Sequence, residues 1–509
     1  MNIFSSKKFR NLAAYWFAFL FVAAISFFLS PFVVRHLGNT AYGVWTLLAS
    51  LIGYLGLLDF GVRGTITRYI AHHYAAGKTN ECSSIISAGL ILFGILGIVA
   101  IVVALFFAYF APSLFNIPPY LIADTRTILV VGGLTVAVTL IGAVFGGVVA
   151  GLERFDIGSG IDIAVTAMRT VAVVYALNEG FGLVALAFIH FASSMLTGFC
   201  NWIAAAKLLP DLSIRFSVSL RPQFRKILSF SVLLSAIHVL SALIYYSDAL
   251  IIAAFLPIGM VTFFAIAANL CDYARQVASA LSVMITPRVS AMASMGSNKI
   301  VDEILSSARF ATLITGSIAF VFWFRGEAFI NLWMGSDYGP AAGEILRILA
   351  FVVMIGGGRS VATASIIGVN KHRNLIKLFA FEATFNVALS VALVSPLGLA
   401  GVALGTLIPS SIVGVWYFPR ILEKATGVPA AQFYFKAWFL PILACTPFGV
   451  VSFALERYCP ARSLAVFFGQ VALSLPLVAA FALVICFNMN EKKQVHSSIK
   501  ALLIAITRK

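Results

Sequence analysis

The sequence contains few charged residues and no long polar segment. Charged side chains make up 11% of its 509 residues, hydrophobic residues make up 61%, and the mean hydropathy is +1.00. Soluble domains usually carry about 25% charged residues, so this composition excludes a soluble protein and indicates an integral membrane protein. Lys and Arg outnumber Asp and Glu by 35 to 19, but the basic residues lie in short loops between apolar runs. That distribution indicates membrane orientation, not nucleic-acid binding.

Cysteine pairs and catalytic motifs are also missing from the sequence. Its six cysteines are scattered without C-x-x-C spacing, so we expect neither a disulfide framework nor a metal site. Gly77-Lys78-Thr79 matches the end of a phosphate-binding loop, but His72 stands where that loop requires an earlier glycine. The sequence also lacks G-x-S-x-G, H-E-x-x-H, G-x-G-x-x-G and D-x-D patterns. We therefore predict a protein that is not an enzyme and uses no cofactor.

What the sequence has in abundance is long apolar runs. Apolar stretches of about 20 residues predict fourteen transmembrane helices. They lie near residues 11–34, 42–62, 83–110, 125–151, 157–177, 181–206, 225–255, 259–286, 304–325, 343–368, 375–395, 398–419, 433–455 and 463–487. Most Lys and Arg residues outside these helices fall on the side of the amino terminus, which predicts that both termini are cytoplasmic.

The longest loop on the predicted cytoplasmic side, 207–226, separates six helices from eight. The first helix of each half starts on the same side and with a similar sequence, FRNLAAYW in one and FRKILSFS in the other. Such a pattern is typical of parallel internal repeats. We therefore predict an all-α polytopic membrane protein, with six-helix lobes at 1–210 and 211–424. A further helix pair with a basic cytoplasmic tail is predicted at 425–509.

Charged and titratable side chains within the predicted helices are the candidate site residues. A charge at the centre of a membrane helix costs about 2.5–3.5 kcal/mol or more, so such residues usually face a wet cavity or one another. We infer a hydrated cavity between the two lobes. The intramembrane polar residues are Arg169, Arg275, Arg359, Asp59, Asp162, Asp248, Asp272, Glu382, His190 and His238.

Two of the arginines have no acidic residue at helical ion-pair spacing. Arg169 and Arg359 lack Asp or Glu three or four positions away, so we expect them to bind an anionic substrate group. Asp272 with Arg275 is spaced for pairing along one helix, and so is Asp59 with Arg63. For each pair, mutual neutralisation and a functional contact both stay open.

Two further assignments rest on position alone. Asp248 lies in the outer half of the seventh predicted helix, where it could bind a coupling cation or pair with a neighbouring helix. Several aromatic residues near helix ends favour the membrane interface over a sugar platform. They are Tyr15, Trp16, Trp45, Trp416 and Tyr417.

The stretch HLGNTAYGVWTLLASLIGYLGLLDFGVRGTITRYIAHHYAAGK resembles the amino-terminal signature of the polysaccharide biosynthesis family. It contains the G-x-x-x-Y-G opening at Gly38, Tyr42 and Gly43, the D-F-G turn at 59–61, and T-R-Y-I-A at 67–71. The family comprises lipid-linked oligosaccharide flippases, including O-antigen transporters, within the superfamily of the multidrug and toxin extruders (MATE). The resemblance extends more loosely over roughly the first 420 residues.

The resemblance implies a V-shaped bundle that moves a polyprenyl-pyrophosphate-linked oligosaccharide across the bacterial cytoplasmic membrane by alternating access. Membrane lipids, and a polysaccharide polymerase with its chain-length machinery, are the expected partners. We assign the headgroup to Arg169, Arg359, Arg275 and Arg63. We assign ion coupling or gating to Asp248, Asp59, Asp272 and Glu382.

Three alternatives are weighed against this reading. A cation-coupled drug or metabolite antiporter has the same fold, and a membrane polymerase or glycosyltransferase is disfavoured by the short outer loops. Fourteen helices also suit the peptidoglycan-precursor flippases, but their arginine-rich first helix is missing, since no charge lies between Asn11 and Val34. The same stretch lacks the acidic residue that many drug extruders carry there.

Overall fold

The computed structural model describes residues 7–210, 212–214, 221–283, 285–295, 299–371, 373–487 and 492. All regular secondary structure in these ranges is helical. Eleven helical segments in the described residues are long and apolar enough to cross a membrane. The prediction of an all-α polytopic membrane protein is therefore confirmed.

The helices follow one another with short connections. They are α1 (Lys7–Gly56), α2 (Val62–Ala75), α3 (Thr79–Leu114), α4 (Ile122–Gly151), α5 (Phe155–Asn178), α6 (Leu183–Leu208), α7 (Arg221–Phe255), α8 (Met260–Val283), α9 (Ile285–Ser294), α10 (Ile300–Trp333), α11 (Gly339–Gly368), α12 (Arg373–Ser411), α13 (Phe418–Thr426), α14 (Ala430–Gln432), α15 (Leu440–Tyr458) and α16 (Leu464–Ile485). A 3₁₀ turn at Leu57–Asp59 links α1 to α2, and π-helical segments occupy Ile412–Tyr417 and Phe433–Phe439.

Two of these helices are interrupted by a glycine with non-helical backbone angles. Gly38 in α1 has φ 74° and ψ 170°, and Gly398 in α12 has φ 57° and ψ −135°. A continuous helix of 50 residues would be about 75 Å long, more than twice the hydrocarbon thickness of about 30 Å. Each interruption therefore divides one long helical stretch into two helices.

The chain forms two compact units, Met1–Thr262 and Phe263–Lys509. In the first unit, α7 packs against α1, α2 and α3. These units do not coincide with the lobes expected at 1–210 and 211–424, because α7 belongs to the first of them. The three-part division and its internal repeat stay predictions.

The first unit is held together by close crossings of helices that carry small residues. A Cβ atom at Gly142 of α4 would lie 2.9 Å from the Cα of Gly198 in α6, so the two backbones touch. Ala137 of α4 lies equally close to Gly97 of α3, at 3.0 Å from the position of a Cβ there. Such contacts replace the hydrophobic effect as the source of helix association inside a membrane.

In the second unit, the side chain of Arg325 in α10 forms hydrogen bonds with both C-terminal helices, α15 and α16. It is 1% exposed, and its Nε donates to Glu456 of α15 at 3.1 Å. Its Nη2 donates to Gln470 of α16 at 2.6 Å, and the guanidinium lies 4.5 Å from the ring centroid of Phe467. The sequence analysis placed Arg325 at the end of a predicted helix, although it is a buried residue within α10. The partners come from helices more than a hundred residues away, so spacing could not reveal them.

Candidate functional site

A polar cavity of about 280 Å³ lies within the first unit, among α2, α4, α5 and α6. We call it the arginine cavity. It is lined by Arg63, Thr139, Gly142, Ala143, Gly146, Asp162, Val165, Thr166, Arg169, His190, Ser193, Ser194, Thr197, Gly198 and Asn201.

Helical periodicity explains why these residues share one space. The four lining residues of α5, from Asp162 to Arg169, recur at positions i, i+3, i+4 and i+7. The six lining residues of α6 follow the same pattern from His190 to Asn201, and five of them are polar. Positions three and four apart lie on one face of a helix, so α5 and α6 each direct a polar stripe at the cavity.

Arg63 is positioned by the start of α2. The backbone N–H of Arg63 donates to Oδ1 of Asp59 at 3.1 Å, so this carboxylate caps the N-terminus of the helix. The guanidinium lies beside Gly146 of α4, where a Cβ atom would be 3.6 Å from Nη2. The Asp59 carboxylate thus contacts the backbone of Arg63, and both interpretations of the pair stay open. The Arg63 side chain still lines the cavity.

Arg169 and Asp162 have different surroundings from the other charged groups. In the residues that the structure describes, neither side chain makes a hydrogen bond or an ion pair. Asp162 and His190 are exposed, and Arg169 is half-buried, although all three lie inside helices that could cross a membrane. Charges in such helices are tolerated when they face water, and within the first unit these three groups line the open space of the arginine cavity.

A second cavity, of about 430 Å³, adjoins the first and is less polar. We call it the Trp45 cavity. It shares Arg63, Thr139, Ala143 and His190 with the arginine cavity, and its other lining residues are Trp45, Leu48, Ala49, Ile52, Gly53, Gly56, Asp59, Ile128, Thr135, Val136 and Leu140. Trp45, which is expected at the membrane interface, lines this cavity with a half-buried side chain, and its interfacial position stays a prediction.

Arg359 in the second unit already has an acidic partner. Its two terminal nitrogens donate to both carboxylate oxygens of Glu382, with the Nη1–Oε1 distance at 2.7 Å, and Ser410 donates to the same carboxylate at 2.8 Å. The rings of Phe379 and Phe418 lie 5.2 and 5.4 Å from the guanidinium carbon. The argument that Arg359 lacks a partner is therefore wrong, since Glu382 comes from the neighbouring helix α12.

Three other predicted site residues also have neighbours that limit their role. Asp272 and Arg275 form an ion pair along α8, so mutual neutralisation is the interpretation that the geometry supports. Asp248 of α7 is buried within the first unit and lies close enough to Tyr54 to interact with it electrostatically. The described residues contain no group of three or more His, Cys, Asp or Glu side chains that could hold a metal ion.

The sequence analysis counted Asp162 and His190 as intramembrane polar residues but gave them no role. It also missed the polar stripe of α6. The signal was present in HFASSMLTGFCN, where His190, Ser193, Ser194, Thr197 and Asn201 recur with helical spacing. A search for polar rather than apolar periodicity would have found it.

Both cavities lie among helical segments that are long and apolar enough to cross a membrane. Residues 9–293, which include both cavities, match the family model described as polysaccharide biosynthesis protein. The match covers more than half of the chain, and the chain belongs to this family.

Two relatives have comparable length and low identity. A Bacillus subtilis protein named "Uncharacterized membrane protein EpsK" is 22% identical over 442 residues, covering 82% of this chain and 83% of its own. A Shigella flexneri protein named "Putative O-antigen transporter" is 19% identical over 403 residues, covering 77% of this chain and 92% of its own.

Solved structures establish the fold. The inward closed conformation of the lipid II flippase MurJ matches with a TM-score of 0.71 at 13% identity, covering 92% of this chain and 97% of its own. The inward-facing conformation of a multidrug resistance MATE family transporter matches with a TM-score of 0.60 at 16% identity, covering 80% of this chain and 96% of its own. The fold is therefore MurJ-like and MATE-like.

Proposed function

We propose that this protein is a flippase that moves a polyprenyl-pyrophosphate-linked oligosaccharide from the cytoplasmic to the outer leaflet. The observation that carries the proposal is the arginine cavity, in which Arg63 and Arg169 face open space among membrane-spanning helices. Membership of the polysaccharide biosynthesis family and the similarity to an O-antigen transporter support the substrate class.

The chemistry of the headgroup fits this cavity. A diphosphate cannot enter hydrocarbon without losing its hydration, which is very costly for a charged group. A guanidinium group can replace part of that hydration by two parallel hydrogen bonds to phosphate oxygens. Arg169 lies about 21 Å along α5 from its first residue, at 1.5 Å per residue, so it can hold the anion near the middle of the membrane. The polyprenyl tail would stay in the bilayer.

The proposal assigns the headgroup contact to Arg63 and Arg169. Arg275 and Arg359 carried the same prediction, but each has a carboxylate partner, and we now assign them to structural ion pairs. Glu382 and Asp272 take the same structural role. Asp59 and Asp248 stay candidates for ion coupling or gating, and Asp162 joins them because it is an exposed carboxylate in the cavity.

We further propose fourteen membrane helices, with both termini in the cytoplasm of a bacterium and the protein in its cytoplasmic membrane. Counting each glycine-interrupted stretch as two helices and adding α8 to the eleven segments gives this number. Two lobes related by a parallel repeat would then rock to expose the site to either side. A polymerase and its chain-length machinery would consume the product.

A cation-coupled antiporter for drugs or metabolites is the second candidate. The likeness to multidrug MATE transporters and the open carboxylate of Asp162 favour it. The two candidates differ in what accumulates when the protein is absent.

Deletion of the gene in the source bacterium tests the proposal. We expect lipid-linked oligosaccharide to accumulate in the inner leaflet, where a membrane-impermeant glycosidase added to spheroplasts cannot reach it. Expression of the wild-type chain should restore accessibility and surface polysaccharide. Unchanged polysaccharide together with increased drug sensitivity would contradict the flippase and favour the antiporter.

A further inference from the structure

The Trp45 cavity has the composition of a carbohydrate site. Trp45, Ala49, Gly53 and Gly56 lie on one face of the second part of α1, at helical spacing. Leu48 and Ile52 line the cavity beside them, and a Cβ atom at Gly56 would meet no atom within 4 Å. The indole ring thus lines the cavity toward one end, and the open space at Gly56 lies toward the other.

Polar groups surround this space at the side shared with the arginine cavity. Asp59, Arg63 and His190 all line it, and Thr135 and Thr139 add hydroxyl groups. Oδ1 of Asp59 accepts the N–H of Arg63, which fixes the orientation of the carboxylate. A mostly apolar cavity with a few oriented polar groups is the usual composition of a small-molecule site.

We propose that the Trp45 cavity binds a sugar ring of the transported glycan while the arginine cavity binds its diphosphate. The C–H face of a pyranose can pack on the electron-rich face of an indole. Gly56 is about 16 Å from Trp45 along α1, at 1.5 Å per residue, and Asp59 follows Gly56, so the polar groups meet a second sugar that lies nearer the diphosphate. The hydroxyl groups of that sugar can donate to Asp59 and accept from Arg63 and His190. The inference rests on the proposed function, because it divides one lipid-linked oligosaccharide between the two adjoining cavities.

The polar groups argue against a hydrocarbon occupant. A prenyl chain in the same space would separate Asp59, Arg63 and His190 from water and offer no hydrogen bonds in return, which carries a large free-energy penalty. A sugar ring offers both an apolar face and hydroxyl groups. Sugars therefore match both the apolar and the polar lining residues of the cavity.

The first test measures the affinity of Trp45→Leu and Trp45→Phe proteins, purified in detergent, for two ligands. One is the lipid-linked oligosaccharide extracted from the deletion strain, and the other is polyprenyl diphosphate without sugar. We expect Trp45→Leu to lower affinity for the glycan lipid by about tenfold or more, as for loss of a buried aromatic contact. Affinity for the sugar-free diphosphate should stay unchanged. Trp45→Phe should retain most of the binding to both.

Trp416→Leu is the matched control, because Trp416 is 63% exposed and does not line the cavity. An equal loss of affinity for both ligands in Trp45→Leu would overturn the inference. Unchanged affinity for both ligands would also overturn it. Since the two affinities are compared within one purified protein, a partly misfolded fraction lowers both signals equally and leaves their ratio unaffected.

The second test fills the cavity. Gly56→Leu places a side chain in the open space, and Gly94→Leu in α3 is the control, since its Cβ atom also meets nothing within 4 Å but lies outside both cavities. We expect Gly56→Leu alone to lose glycan-lipid binding while binding of the sugar-free diphosphate persists. Normal glycan-lipid binding by Gly56→Leu would overturn the inference.

Failure of the proposed function would be visible before either test. In that case the deletion strain would not accumulate lipid-linked oligosaccharide. Accumulation in the deletion strain, combined with unaltered ligand discrimination in the Trp45 and Gly56 variants, would contradict the sugar site alone.

Discussion

Arg169 and Arg359 both lie within long membrane helices, but their surroundings give them different roles. Arg169 lines the arginine cavity, whereas Arg359 is 15% exposed and bound to a Glu382 side chain that is 2% exposed. Removal of the first deprives a ligand of a contact. Removal of the second leaves a carboxylate buried without its counter-charge.

Arg169→Gln should therefore reduce transport and leave the folded protein intact. A hydrogen bond to a charged group contributes about 1.5–3 kcal/mol, so we expect export of lipid-linked oligosaccharide to fall roughly ten- to hundredfold. Glycosidase accessibility in spheroplasts measures export, and the amount of monodisperse protein after extraction measures folding. Normal export in the variant would refute the role of Arg169.

Arg359→Gln should instead reduce stability. Breaking a buried ion pair by removing one partner costs about 3–5 kcal/mol, whereas replacing both partners with apolar residues is often nearly neutral. We expect a clearly lower thermal midpoint in detergent for Arg359→Gln, and a largely restored midpoint for the double variant Arg359→Met with Glu382→Met. If the double variant is no more stable than Arg359→Gln, the loss of stability does not come from leaving the Glu382 carboxylate without its counter-charge.

At the scale of single residues, the sequence predicts contacts within one helix but not contacts between helices. The pairing of Asp272 with Arg275 followed from their spacing of three residues. Glu382 is 23 residues from Arg359, and only the packing of α11 on α12 brings them together. The sequence also could not show that Trp45 lines a cavity, because distance from a helix end says nothing about the face on which a residue lies.

At the scale of elements, the glycines at 38 and 398 determine where the long helices are interrupted. The φ and ψ angles of Gly38 belong to a region that only glycine populates freely. The sequence analysis placed predicted helix ends at 34 and 42, on either side of this residue, because the apolar pattern weakens there. The backbone angles themselves could not be predicted from hydropathy.

Gly38→Ala should destabilise the protein by about 1–3 kcal/mol, because alanine is strained in this conformation. Gly94→Ala should be neutral or stabilising by up to about 1 kcal/mol, since Gly94 lies inside α3 with open space around it. Thermal unfolding of both variants in the same detergent gives the comparison. Equal midpoints would mean that the interruption at Gly38 is not maintained by its backbone conformation.

The C-terminal helices α15 and α16 depend on Arg325 of α10. Arg325→Leu removes its bonds to Glu456 and Gln470 inside the second unit, and we expect a loss of about 3–5 kcal/mol, as for other broken buried pairs. Limited proteolysis of the connection between α15 and α16 should become faster.

Arg347→Leu provides the control for this variant. Arg347 is about half exposed and pairs with Glu327 at 3.9 Å, and exposed pairs contribute only about 0–1 kcal/mol. An equal loss of stability in Arg325→Leu and Arg347→Leu would argue against a specific role for the buried Arg325.

At the scale of the whole molecule, membrane orientation is the property with the simplest test. Cys459 is exposed between α15 and α16, and four of the other five cysteines are buried. With both termini cytoplasmic, this connection lies outside. A membrane-impermeant maleimide should label the wild-type protein in intact spheroplasts, and Cys459→Ser should abolish most of the signal. Labelling only after permeabilisation would reverse the proposed orientation.

In the proposed arrangement, the two adjoining cavities hold two parts of one ligand, which makes that ligand bivalent. Arg63 and His190 line both spaces, so a molecule anchored in one presents its other end to the second at a high effective concentration. Free sugar and free diphosphate should each bind weakly, whereas the covalently joined substrate should bind far more tightly than either fragment. Abundant cytoplasmic phosphates would then compete poorly, and the protein could select its cargo through avidity without a strong contact at either end.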